Sequence, residues 1–91
     1  MKGRRTQYEI YWEILVFCKT PRSFTGIINR CDLNSKTGQE YLAFLVAKGY
    51  LALVTEGEKT VYHSTPAAAE YIGLFSSLYQ KLFDATPEFK L

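Results

Sequence analysis

The sequence predicts a mainly α-helical protein that carries one small β-hairpin, which is an α+β fold. Three observations predict it: four stretches have apolar residues at helical spacing, two short strand-like runs flank a glycine turn, and capping residues stand where helices should begin. The chain has 91 residues, of which 47% are hydrophobic and 22% are charged. Because so short a chain rarely builds two cores, we expect a single domain over residues 1–91.

The first helix is expected to begin after Thr6. Thr6 and Glu9 have the spacing of a capping box, in which each side chain bonds the backbone N–H of the other residue. Pro21 disfavours helix at the residue before it, so this helix should end near Cys18. Two apolar stripes run along it, Tyr8, Trp12 and Leu15 in one and Ile10, Ile14, Phe17 and Cys18 in the other. Two stripes on one short helix predict burial on more than one side.

A second and a third helix follow and are joined by a tight connection. Ser23 or Arg22 opens the second helix, and Asn34 is a good N-cap for the third, which is expected over residues 35–48. Only the stretch Asp-Leu-Asn separates the two apolar patterns. A short helix joined in this way to a longer one predicts a helix-turn-helix unit over residues 22–48.

A β-hairpin is expected directly after the third helix. Residues 50–55 and 59–64 are rich in β-branched and aromatic side chains, and a short turn containing Gly57 separates them. In a helix-turn-helix protein, a hairpin at this position is a wing that can reach along the DNA backbone. We therefore expect a wing over residues 50–64.

The last helix is expected over residues 66–84, because Thr65 is a cap and Pro66 suits the first helical position. Its apolar residues repeat at 4-3-4 spacing and form an arc wider than one small domain needs to cover. We therefore expect a homodimer through this C-terminal dimerisation helix and helix 1. The residues expected in the dimer interface are Tyr8, Trp12, Tyr71, Phe75, Leu78, Tyr79 and Leu82.

The residues around the connection and the wing resemble a known family. They read T-x-I-I-x-R-C-x-L-N over residues 25–34, Y-L-x-F-L-x-x-K-G-Y-L over 41–51 and Y-x-x-T over 62–65. The chain thereby resembles the small archaeal winged helix-turn-helix transcriptional regulators over roughly residues 6–83. That resemblance implies a DNA-binding homodimer joined through its terminal helices. At Gly38 the chain departs from the family, whose members usually carry a larger apolar residue there.

These elements predict a DNA-binding transcriptional regulator, with residues 35–48 as the recognition helix in the major groove and the wing on the backbone. The distribution of charge agrees with this prediction. Residues 1–48 hold eight basic and four acidic side chains, whereas residues 49–91 hold three basic and five acidic ones. Gln39 suits a bidentate contact to adenine, and Glu40 can accept from cytosine. The residues expected to contact double-stranded DNA are Arg4, Arg5, Arg22, Arg30, Ser35, Lys36, Thr37, Gln39, Glu40, Lys59 and Thr60.

The alternative is a winged helix that packs against other proteins and does not bind DNA. A net charge of only +2 and the outward-facing Glu40 favour this alternative, whereas the Arg4 and Arg5 arm favours DNA. We expect no enzyme activity, because the sequence has no glycine-rich phosphate loop, no G-x-S-x-G and no H-E-x-x-H.

No cofactor or metal is expected either. Cys18, Cys31 and His63 are too few ligands for a zinc site, and the two cysteines are interpreted as buried thiols of a cytoplasmic protein. The longest apolar run, residues 41–47, is far shorter than the roughly 18 residues that a membrane span requires. The sequence therefore predicts a protein without a membrane-spanning helix.

Overall fold

The computed structural model describes residues 6–83 and has the predicted order of elements. These are α1 (Gln7–Phe17), α2 (Phe24–Arg30), α3 (Ser35–Ala47), β1 (Leu51–Glu56), β2 (Lys59–Ser64) and α4 (Pro66–Phe83). A mainly helical fold with one antiparallel hairpin is thus confirmed. The observed bounds differ from the predicted ones by a residue or so. Arg4, Arg5 and residue 84 lie outside the described part of the chain.

Side-chain caps begin the first three helices. The capping box is present in α1, where the backbone N–H of Thr6 donates to Glu9 Oε1 at 2.9 Å and that of Glu9 donates to Thr6 Oγ1 at 3.1 Å. Ser23, rather than Arg22, opens α2, and its hydroxyl accepts from the N–H of Gly26 at 3.1 Å. Asn34 caps α3 through the N–H of Thr37 at 2.8 Å. Each cap contributes about 1 kcal/mol to helix stability.

The connection between α2 and α3 turns sharply at Asp32. This residue has a φ of 58°, in the left-handed region that Asp tolerates better than most residues. The N–H of Leu33 then donates to the carbonyl of Ile28 at 2.9 Å, which closes the turn. As a result, α3 starts directly against the end of α2.

The hairpin is joined to the rest of the fold at its base. Its strands pair in register from Leu51 opposite Ser64 to Glu56 opposite Lys59. Gly57, with a φ of 63°, is the first of the two turn residues, as in a type II′ turn. On the other edge of β2, Arg22 and Tyr62 exchange two backbone hydrogen bonds of 2.9 and 2.7 Å. This bridge fixes the wing to the loop between α1 and α2.

Helix α1 lies at the centre of the core. Residues 10–15 are all buried, which confirms that this helix is covered on more than one side. Glu13 is buried with them at 2% exposure, which the sequence interpretation missed by counting it among the charges of the basic half. The buried apolar cluster consists of Ile10, Tyr11, Ile14, Leu15, Cys18, Ile27, Cys31, Leu42, Leu45, Leu51 and Ala68.

Candidate nucleic-acid interface

Helix α3 has two different faces. Gly38, Leu42 and Leu45 are buried against the core and hold the helix in place. The opposite face is open to solvent along the whole helix. Its exposed residues are Ser35, Lys36, Gln39, Glu40, Ala43 and Ala47. The helix is therefore anchored on one side and free on the side that the sequence predicts as the reading surface.

The absence of a side chain at position 38 has a steric reason. A Cβ added to Gly38 would lie 2.5 Å from Cγ2 of Ile28 on α2. Glycine in a helix costs about 1 kcal/mol relative to alanine. At this position that cost accompanies a close approach of the two helices.

An aromatic cluster fastens α3 to α1. The ring of Phe44 stacks on that of Tyr11 with centroids 5.2 Å apart, and Tyr41 meets the same ring edge-on at 5.3 Å. Phe44 is nevertheless 43% exposed, beside the outer face of α3. This exposure could not be predicted, because Phe44 lies in a run of apolar residues in the sequence.

The positive charges near α3 differ in exposure. Lys36 is exposed in the first turn and Lys48 at the C-cap, and Arg30 is half-buried at the end of α2. Glu40 is exposed between the two lysines along the helix. Lys48 was not among the expected contact residues, although its place after the last turn of a recognition helix is readable from the sequence.

Arg22 has a role within the fold that the sequence did not predict. Its Nε donates to the carbonyl of Phe17 at 3.2 Å, and its guanidinium carbon lies 4.2 Å from the centre of the Phe17 ring. Together with the backbone bridge to Tyr62, these contacts tie the end of α1 to the hairpin. The side chain is thus committed to α1, and its contact with DNA stays a prediction.

The tip of the wing carries mixed charge. Lys59 and Thr60, both expected to contact DNA, are exposed in the first positions of β2. Glu56 stands opposite Lys59 in the register, and Glu58 is exposed in the turn. Carboxylates therefore surround the one lysine that the described tip carries.

A second open surface lies along the distal half of α4 and the start of α1. It forms a groove of about 510 Å³, lined by Thr6, Tyr8, Glu9, Tyr71, Leu74, Phe75, Leu78, Tyr79, Leu82 and Phe83. More than half of Tyr8, Leu74, Leu78, Leu82 and Phe83 is exposed. The structure thus brings together six of the seven residues predicted for the dimer interface, and adds Leu74 and Phe83.

Trp12 is the seventh of those residues, and it is buried within its own chain. It is 8% exposed, and its ring centroid lies 6.0 Å from that of Phe75. Phe75 in turn contacts Tyr71 and Tyr79, and Tyr79 contacts Phe83. Trp12 therefore packs behind Phe75 in the interior of the chain and does not line the groove.

Tyr71 joins the two helices that form this groove. Its hydroxyl donates to the backbone carbonyl of Tyr8 at 2.7 Å. Burial raises the pKa of Tyr71 from 10.0 to about 12, and the neighbouring hydroxyls of Tyr11, Tyr50 and Tyr8 add to the effect. The phenol is neutral at physiological pH and acts as a hydrogen-bond donor.

The cysteines are buried, as the sequence predicts. No disulfide joins Cys18 and Cys31. Burial raises the pKa of Cys18 from 9.0 to about 12, with Cys31 also raising it and Arg22 lowering it. Cys18 is therefore a thiol and not a thiolate near neutral pH.

The described residues also bear on metal binding and on membrane spans. Between Thr6 and Phe83 the side chains form no group of three or more His, Cys, Asp and Glu that could hold a metal ion. In the same range no helix has the length and apolar character needed to cross a bilayer.

The element order and the open helix can now be compared with known proteins. The sequence matches the family model described as winged helix-turn-helix over residues 4–79. The chain belongs to the winged helix-turn-helix family. The match takes in α1 to α3, the hairpin and most of α4, so the fold class and the family predicted from the sequence are confirmed. No curated protein matches the sequence significantly.

Several solved structures are similar to this winged helix-turn-helix chain. Sso10a-2, a DNA-binding protein from Sulfolobus solfataricus, is 28% identical with a TM-score of 0.73, over 88% of this chain and 87% of that one. The transcriptional regulator BldR from the same organism is 17% identical with a TM-score of 0.68, over 87% of this chain and 63% of its own length. MepR, a transcription regulator from Staphylococcus aureus, is 11% identical with a TM-score of 0.73, over 87% of this chain and 61% of its own length. At these low identities the last two show the fold alone, and the chain spans about three fifths of each.

Proposed function

We propose that this protein binds double-stranded DNA as a homodimer and regulates transcription. The observation that carries the proposal is the exposed outer face of α3, from Ser35 to Ala47, opposite an inner face that the core holds. The major groove of B-DNA is about 12 Å wide and admits one α-helix. A helix that is fixed on one side and open on the other meets this requirement.

Polar side chains of α3 supply the contacts. Gln39 offers its amide to the N6 and N7 atoms of adenine, and Glu40 accepts from the N4 amino group of cytosine. Ser35 and Thr37 reach a base edge or a phosphate, and Lys36 in the first turn contacts the phosphate backbone. In this arrangement Glu40 limits general affinity for a polyanion and favours particular sequences.

Flanking elements position the helix on the duplex. The wing lies on the backbone, where Lys59 and Thr60 contact phosphate or the minor groove. Arg30, at the end of α2, approaches the phosphate backbone, and so does the part of the Arg22 guanidinium that Phe17 leaves free. DNA contacts of Arg4 and Arg5 stay a prediction, because both residues lie outside the described part of the chain.

The similar proteins support DNA as the partner. Sso10a-2 is named as a DNA-binding protein, and its structure matches nearly the whole length of both chains. BldR and MepR are named as transcription regulators. A non-enzymatic regulator is therefore the function that agrees with both the open helix and the relatives.

The apolar groove supports the homodimer. Helix α4 has 18 residues and so extends about 27 Å. Its distal residues Leu74, Leu78, Leu82 and Phe83 expose more than half of their surface in the single chain. Contiguous apolar surface of this kind marks an interaction site, and a two-fold pairing covers the same face on both copies at once. Tyr8, Tyr71, Phe75 and Tyr79 complete the proposed interface.

Titration of the protein into fluorescent duplex DNA of random sequence tests the proposal. Measured by anisotropy at several salt concentrations, the logarithm of the association constant should fall linearly with log salt, with a slope of about −0.9 for each phosphate neutralised. No binding even at low salt would reject the proposal and favour the winged helix that only packs against proteins.

A further inference from the structure

Helices α2 and α3 approach each other at Gly38 without room for a side chain. A Cβ there would lie 2.5 Å from Cγ2 of Ile28, and 3.7 Å from Cε1 of Phe24. Carbon atoms in good contact stay about 3.5 to 4.0 Å apart. The Ile28 methyl group therefore already occupies the space that any side chain at position 38 needs.

Ile28 has little freedom to move aside. Its carbonyl accepts the hydrogen bond from Leu33 that closes the turn, and the preceding Ile27 is completely buried. A β-branched side chain in a helix also has one strongly preferred rotamer. A Cβ at position 38 therefore displaces α3, by about 1 Å if the contact is restored to ordinary distance.

Gly38 lies in the half of α3 that carries most of the proposed base contacts. At 1.5 Å per residue it is only about 5 Å along the helix axis from Ser35. Leu42 and Leu45 hold the other half in the core. Displacement at Gly38 tilts the first half outwards about those two residues, and it moves Ser35 and Lys36 most and Gln39 less.

We propose that the contact between Ile28 and Gly38 sets the position of the first half of α3 and thereby the discrimination between DNA sequences. This inference rests on the proposed function. Hydrogen bonds to base edges require donor–acceptor distances of about 2.7 to 3.2 Å, so a displacement of this size breaks them. Attraction to phosphate falls off slowly with distance, so binding to DNA of any sequence persists. Ile28 and Gly38 are positioning residues and touch no base themselves.

The test compares two duplexes of equal length, one selected by the wild-type protein from a random pool and one of random sequence. For Gly38→Ala the ratio of the two affinities should fall about tenfold, which is the effect of one base contact. Affinity for the random duplex should stay within about twofold, because phosphate contacts remain. An unchanged ratio in the folded variant would overturn the inference.

Two further variants separate positioning from a general effect of alanine. Gly73→Ala in α4 is the matched control, since a Cβ there meets nothing within 4 Å, and both affinities should be unchanged. The double variant Gly38→Ala with Ile28→Leu should regain most of the ratio, because leucine has no methyl group on Cβ. If the double variant remains as unselective as Gly38→Ala, the contact does not act through Ile28 and the inference is wrong.

A measurement without DNA keeps this inference distinct from the proposed function. Residual dipolar couplings of backbone amides should show α3 reoriented relative to α1 in Gly38→Ala and returned in the double variant. If the wild type binds no duplex, the proposed function fails, and these couplings alone decide whether the contact positions α3. If Gly38→Ala does not fold, Ile28→Leu replaces it, and couplings identical to wild type would refute the positioning role.

Discussion

Two open surfaces of the described residues, one on α3 and one on α4, differ in chemistry. The outer face of α3 presents Ser35, Lys36, Gln39 and Glu40, whose polar groups stay hydrated. The distal face of α4 presents Leu74, Leu78 and Leu82, which have no polar groups in their side chains. Apolar area gains most from leaving water, whereas polar groups must find hydrogen-bond partners when they are covered. The difference agrees with the proposed duplex on α3, whose contacts are polar, and with the proposed apolar contact between two copies on α4.

The largest effect is expected from a charge on the α4 face. Leu78→Asp should raise the dimer dissociation constant by about 100-fold or more, because a carboxylate left unpaired in an interface costs about 3 kcal/mol. Sedimentation at micromolar concentration should then give one copy of 10.4 kDa instead of two. Ser77→Asp is the control and should remain dimeric, because Ser77 is exposed on the same helix but does not line the groove. A monomeric wild type, or a dimeric Leu78→Asp, would remove the contrast between the two faces.

A smaller effect is expected from the removal of a positive charge on the α3 face. Lys36→Ala should weaken binding to random duplex by about tenfold or less and reduce the salt slope by about 0.9, the loss of one phosphate contact. Lys81→Ala removes the same charge from the last turn of α4 and should change neither quantity. Equal slopes for the two variants in an anisotropy titration would mean that α3 does not face the duplex.

The wing should give an effect of opposite sign. Glu58 is exposed in the turn beside Lys59. If the tip approaches phosphate, Glu58→Gln should strengthen binding about twofold at low salt, in keeping with the modest energy of exposed charge pairs. Glu70→Gln removes the same charge from an exposed position of α4, outside the wing, and is the control. A twofold gain in both variants would report only the change in net charge.

Tyr71 is the polar anchor of the apolar face, and its effect is expected on the stability of the fold and not on DNA binding. Its pKa is raised from 10.0 to about 12, so the hydroxyl stabilises the fold fully below pH 10 and loses this contribution as pH rises through 12. Because Tyr71 is half-buried, solvent screening should limit the loss to about 1 kcal/mol. Urea unfolding at pH 8 and pH 11 should show a smaller decline for Tyr71→Phe than for wild type. Parallel declines would show that the Tyr71 hydroxyl does not carry this dependence.

The repeating features of the fold could be predicted from the sequence. Helix periodicity, the caps Thr6 and Asn34, and the glycine turn all depend on residues close together in the chain. The same locality made the outer face of α3 predictable, since its exposed residues are those left over when Leu42 and Leu45 turn inwards.

The features that sequence reasoning missed are contacts between distant segments. The bridge between Arg22 and Tyr62 involves a single residue pair, which leaves no periodic signal. Glu13 reads as a surface charge until α1 is seen to be covered on both sides. Gly38 reads as a weak point in a helix until Ile28 is placed against it.

The joint between the end of α3 and the start of α4 has a consequence for the spacing of the DNA half-sites that the proposed homodimer would bind. Thr65, immediately before α4, donates its backbone N–H to Tyr50 at 3.0 Å and its hydroxyl to Gly49 at 2.5 Å. The start of α4 is thus fastened to the residues that follow α3. In the proposed homodimer we expect this fastening to hold the two copies of α3 at a constant separation. Inserting a few base pairs between half-sites would then rotate one of them out of reach, whereas inserting a full turn of about 10.5 base pairs would keep them in phase but too far apart for one dimer.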